Sequence, residues 1–178
     1  MSSLFSLHHA FFSRLDRAGD WLVPTLARIV FAAVLLIYYW NSAGLKLDGG
    51  LFSPSAGAFG QIFPKAAEEV LYDVSQLSFF QTIVILLGTW AEYVLPALIL
   101  VGFLTRLAAL GTIGFIIVQT LVDVTGHGVA LGSLFDAAQG LIDQRTMWIF
   151  LLLVLVIKGA GPLSVDRLLS PKPNTVHA

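Results

Sequence analysis

The sequence predicts an all-α integral membrane protein: a bundle of four transmembrane helices with partly helical extracytoplasmic loops. Three observations carry that prediction. Hydrophobic residues fill 57% of the 178 positions and charged residues only 12%, about half the charge of a soluble domain. Mean hydropathy is +0.84, which leaves too little polar surface to coat a globule in water. The apolar residues also gather into four runs, with nearly all charges between them. A net charge of -1 gives no electrostatic basis for binding nucleic acid. The absence of cysteine excludes disulfides, iron–sulfur clusters and thiol chemistry within the chain.

Residues 1–20 read as an amphipathic cytoplasmic segment. Leu4, Leu7, Phe11, Leu15 and Ala18 recur at helical spacing with Arg14, Asp16 and Arg17 between them, a pattern suited to the membrane interface. They lack the compact apolar core and cleavage site of a signal peptide. The four-helix domain then occupies residues 21–163. Its first span, 21–41, matches a hydrocarbon core of ~30 Å at ~1.5 Å per residue. Tyr38, Tyr39 and Trp40 at its outer end read as an aromatic interface belt, and the same rings are candidates to flank a quinone. The loop over 42–78 is broken by Gly49-Gly50, Ser53-Pro54 and Pro64, and a helix is expected over 65–72 with Pro64 at its first turn. The second and third runs, 79–104 and 107–122, form a tight hairpin because only 102–106 separates them. In the loop 124–146, Leu131, Leu134, Phe135, Leu141 and Ile142 are spaced like a short amphipathic helix. Both loops are apolar enough to fold over the bundle mouth and to receive a partner. The fourth run, 147–157, spans only if it extends to about 142–160. Residues 164–178 form a cytoplasmic tail, disordered over 170–174.

Charge placement orients the chain. With the N-terminus cytoplasmic, Arg14, Arg17, Arg28, Arg106, Lys158, Arg167 and Lys172 fall inside and only Lys46, Lys65 and Arg145 outside. Such an excess of cations on one side places both termini in the cytoplasm. A multi-pass chain follows from the same count, and an inner-membrane location is expected.

Few residues can carry chemistry. Glu92 is an ionisable group inside a span, so it is expected to face the bundle and to have a partner. Depth along the helices nominates Arg28, and an Arg28–Glu92 ion pair, direct or bridged by water, is expected. One reading has this pair fixing helix register; the other gives it proton or quinone chemistry, with Gln119 and Tyr39 completing a quinone site. Gln119 also reads as a hydrogen-bonding link between helices. His127, close in sequence to Asp123, is the one weak candidate for a metal or proton-transfer site. No two histidines face each other across the bundle, so haem is not expected. A solute carrier is disfavoured by the scarcity of polar groups and the lack of an inverted repeat.

Three segments together resemble the DoxX family of small four-helix bacterial membrane proteins. Asn41-Ser42-Ala43-Gly44-Leu45-Lys46-Leu47 is similar to its Ser-Gly-x-x-Lys-Leu element, with Ala43 inserted. Ala91-Glu92-Tyr93, continuing through Gly102-Phe103-Leu104-Thr105-Arg106, resembles its acidic second helix and Gly-x-x-Thr-Arg hairpin. Gly159-Ala160-Gly161-Pro162-Leu163-Ser164-Val165-Asp166 is similar to its Gly-x-Gly-x-x-Ser-x-Asp ending. The resemblance covers about residues 28–169 and implies Lys46, Glu92, Arg106 and Asp166 as shared motif positions. It implies an accessory or docking subunit of a membrane redox system, with a redox protein seated on the outer loops. The alternative it implies is a quinone-binding subunit, because related DoxD-type proteins are membrane subunits of thiosulfate:quinone oxidoreductase.

Overall fold

Between Ser2 and Gly44 the sequence offers no strong helix breaker except Pro24, and the chain forms one unbroken helical rod. The computed structural model describes residues 2–133 and 141–170. The rod consists of α1 (Ser2–Phe31), one wider π-helical turn (Ala32–Leu36) and α2 (Ile37–Gly44). The segment expected to lie apart in the interface is therefore the first part of the same helix, with Leu4, Leu7, Phe11 and Leu15 exposed. The composition changes at Trp21 but the backbone conformation does not. Four-residue steps overshoot an α-helical turn by about 40°, and the π turn counters that drift. Phe31, Leu35, Tyr39 and Ala43 consequently all face inward and are buried.

Ser78 opens α5 (Phe79–Val101) with a reciprocal cap to Gln81, which satisfies donors that the first helical turn leaves free. The helix stops at Gly102, whose φ of +72° suits glycine. A methyl group there would also lie 2.5 Å from Ser164 Cβ and 2.9 Å from Arg28 Cζ. Three residues later the chain turns into α6 (Thr105–His127), so the expected hairpin is present. α7 (Ile142–Lys158) and the short α8 (Val165–Leu169), capped by Ser164, complete the described helices. Among the described residues there is no β-strand, only a single bridge between Leu47 and Pro54.

Three stretches, Leu4–Gly44, Phe79–Val101 and Thr105–His127, are long and apolar enough to cross a membrane. α7 packs against α1 and α6, while α5 packs against α2 and α6. Their shared core includes Phe31, Leu35, Tyr39, Ile99, Ile116 and Leu152. The opposite faces stay apolar, with Val34, Leu87, Leu107 and Phe150 all exposed, as lipid-facing helices require.

Outside this core, α3 (Ala56–Ile62) and α4 (Pro64–Glu69) form a small cap. Ala58, Phe59 and Ala67 bury themselves against Ile85 of α5. Pro64 opens α4 as its sequence predicts. The helix ends at Glu69 rather than Tyr72, because Leu71 and Tyr72 adopt φ values of +54° and +62°. That bend returns the Tyr72 ring onto α3, where even a methyl group at Gly60 would sit 2.6 Å from Tyr72 Cε1. The short helix expected around Leu134 and Phe135, and the tail over 171–174, lie outside the described residues.

Candidate functional site

The buried charges of the helical core fall into two groups at opposite ends. The first group centres on Glu92, which α5 carries inward and leaves 3% exposed. Its partner is Lys46, whose Nζ donates to Oε1 at 2.6 Å and to Oε2 at 2.7 Å. Ser42 completes the cluster: its hydroxyl donates to Glu92 Oε1 at 3.1 Å and accepts from Lys46 Nζ at 3.0 Å. Lys46 is pinned from both sides of its peptide. Its N–H donates to the Ala43 carbonyl and its own carbonyl accepts from Ser55 N–H. The chain thus bends just beyond α2 and sends the ammonium back toward the core, leaving the residue 5% exposed.

The expected Arg28–Glu92 pair does not form. Arg28 spends its guanidinium on main-chain carbonyls. Nε donates to Ile99 at 3.0 Å and Nη1 to Ala160 at 3.0 Å, with further bonds to Leu163 and Leu100. Ile99 lies seven residues beyond Glu92, about 10 Å along the helix. The carbonyls at the end of α5 lack helical donors, and a forked, permanently charged group supplies several at once.

Beside Arg28, Asp166 ties the chain after α7 to the hairpin. Its carboxylate accepts the Leu104 N–H at 2.7 Å and the Thr105 N–H at 2.9 Å, while its own N–H donates to the Gly102 carbonyl. Burial disfavours its ionised form, but those hydrogen bonds and the Arg28 charge outweigh it. The carboxyl is held below its ordinary value.

A cavity of about 70 Å³ adjoins the Glu92 group, lined by Lys46, Glu92, Gln119, Asp123 and Gln61 among others. It has room for water, which takes about 30 Å³ per molecule, and falls well below the ~300 Å³ of small-molecule pockets. Of the candidate quinone residues, the structure brings Glu92 and Gln119 to this cavity and leaves Arg28 and Tyr39 outside its lining. Tyr39 is not a belt residue but 1% exposed, packed against Phe115 and Tyr38. Its hydroxyl has no hydrogen-bond partner among the described residues. Gln119 does join helices, donating from Nε2 to the Tyr38 hydroxyl at 3.0 Å.

His127 does not meet Asp123. Its Nε2 lies 2.7 Å from the Gln61 carbonyl, which fastens the cap to the end of α6. Asp123 instead pairs with Arg145 of α7, a residue 6% exposed that also donates to Thr120 Oγ1 at 2.6 Å. Among the described residues no three His, Cys, Asp or Glu side chains gather to hold a metal. Arg106, at the start of α6, is exposed.

Ser42 and the Arg145–Asp123 pair are the members that sequence reasoning missed. The four-residue spacing of Ser42 and Lys46 was a usable signal, because it places both on one side of the helix end. No family model, curated protein or solved structure matches the chain.

Proposed function

We propose that the chain is a four-span membrane protein of the DoxX type in a bacterial inner membrane. Its termini are cytoplasmic, and it serves as an accessory subunit on which a redox protein docks. One observation carries the accessory role: the charges inside the spans are occupied by structural partners. Glu92 is held by Lys46 and Ser42, and Arg28 by the carbonyls that end α5 and follow α7. What the chain offers outward is apolar side chains around the cap, with Phe52 at 73% and Leu71 at 88% exposure.

Two further features support the DoxX reading. Lys46 of the first motif bonds Glu92 of the second, and Asp166 of the third bonds the hairpin of the second. Segments far apart in sequence thus meet through their characteristic residues. For the fourth span, the 17 residues of α7 reach about 26 Å, close to the thickness of a thin bilayer.

Photo-reactive side chains at Phe52 and Leu71, compared with one at lipid-facing Leu107, test the docking role in cells. Adducts to a redox protein from the two outer positions alone are expected. Adducts to lipid alone from all three positions overturn it. The quinone alternative rests on the cavity beside Glu92 and Gln119, and it requires purified protein to retain quinone. Retention that Glu92→Gln abolishes without lowering folded yield would replace the accessory reading.

A further inference from the structure

At the inner end of the helices, the segment after α7 folds back toward α1 and the start of α6. An open hollow of about 580 Å³ remains between them. Four cations line it, Arg17, Arg106, Lys158 and Arg167, against two carboxylates, Asp20 and Asp166. Both carboxylates already have partners, and one of the four cations is neutralised in the process. Asp20 pairs with Lys158 at 3.1 Å, and Asp166 accepts the N–H groups of Leu104 and Thr105. Arg17 directs its Nε to the Ser13 carbonyl of its own helix. Among the described residues, the Arg106 and Arg167 guanidinium groups have neither a hydrogen-bond nor an ion-pair partner.

Arg106 lines the hollow where the chain leaves α7. Its guanidinium lies beside Gly159, where a methyl group would be in ordinary contact at 3.4 Å from Nε. Cations gathered in one concavity repel each other and call for an anion. Guanidinium forks match phosphate oxygens in particular.

The surroundings select the source of that phosphate. Trp21 lines the hollow, and Leu107, Leu163 and Leu168, each one to four residues from an unpartnered arginine or its neighbours, are strongly exposed. Cations next to exposed leucines and a tryptophan at a helix end suit a headgroup in the hollow and acyl chains along the leucines. We propose that this hollow binds the phosphate headgroup of an anionic phospholipid, with Arg106 and Arg167 as its main contacts. The assignment rests on the chain crossing a membrane and is independent of the docking role.

Native mass spectrometry of the delipidated full chain, titrated with phosphatidylglycerol, phosphatidylcholine or inorganic phosphate, tests it. Preferential binding of phosphatidylglycerol is expected, with inorganic phosphate at equal concentration failing to displace it. The Arg106→Gln/Arg167→Gln variant weakens binding roughly thirtyfold, as loss of two interfacial charges implies, and Lys65→Gln on the outer loop leaves it unchanged. Equal binding of both lipids, or unchanged binding by the double variant, overturns the proposal. Saturation by inorganic phosphate with no lipid preference assigns the hollow to a soluble phosphate compound and also overturns it. Should the double variant not fold, Arg167→Gln alone, on the exposed side of α8, is expected to weaken binding roughly fivefold; no change there overturns it.

Discussion

Lys46 and Glu92 are each almost wholly withdrawn from water, with side chains 6% and 2% exposed. Removing one charge leaves the other buried and unpaired, which costs about 3–5 kcal/mol, whereas replacing both with apolar residues of similar volume is often nearly neutral. Glu92→Gln and Lys46→Met are therefore each expected to lower the thermal midpoint in detergent sharply. The Lys46→Met/Glu92→Leu pair should recover most of that loss. A double variant no more stable than the worse single one would show that the cluster matters for more than mutual neutralisation. That Glu92 is buried and partnered was legible in the sequence, since an intramembrane carboxylate has few alternatives. Its partner was not. Counting depth along straight helices favours Arg28, and it cannot register that the chain bends at Lys46 and returns the ammonium inward.

At the scale of elements, the α5–α6 hairpin is closed from two sides, by a group on α1 and by one beyond α7. Arg28 covers the free carbonyls of α5, and Asp166 covers the free N–H groups around the start of α6. The Asp166 carboxyl in the folded chain lies below the ordinary 3.8. A depressed carboxyl contributes stability that is present above its unfolded value and lost as pH falls through the folded one. The difference in thermal midpoint between the native chain and Asp166→Asn is thus expected to be constant at neutral pH and to shrink below about pH 4. A difference that persists unchanged to pH 2 would mean that the aspartate acts through shape and not through charge. The apolar runs located α5, α6 and α7 to within a few residues, because runs of that length bounded by charge and glycine leave little choice. The amphipathic segment and the first span expected from the sequence form one continuous rod. A change in composition at Trp21 resembles a boundary, yet only a change in backbone preference makes one, and Gly19 alone is too weak a breaker.

For the whole molecule, the number of crossings turns on α7, and its placement argues independently of hydropathy. The first residues of α7 sit beside the C-terminal end of α6, where Arg145 reaches Asp123 and Thr120. Its last residues sit beside α1, where Lys158 meets Asp20 and Arg28 binds the Ala160 carbonyl. α7 therefore runs the height of its neighbours although its uninterrupted apolar core is short. Charged residues at both ends made that core look shorter than the helix is, while the asymmetry of cations pointed to an even number of crossings. Because the native chain has no cysteine, single substitutions report sidedness without background. His9→Cys, Ser75→Cys and Ser170→Cys all place a thiol at an exposed position. In intact cells a membrane-impermeant maleimide should modify Ser75→Cys alone, with the other two reacting only after permeabilisation. Modification of Ser170→Cys in intact cells together with Ser75→Cys would leave α7 outside the membrane. The inner cluster of Lys158 and Arg167 would then lie on the outer side, and the fourth span would have to be abandoned.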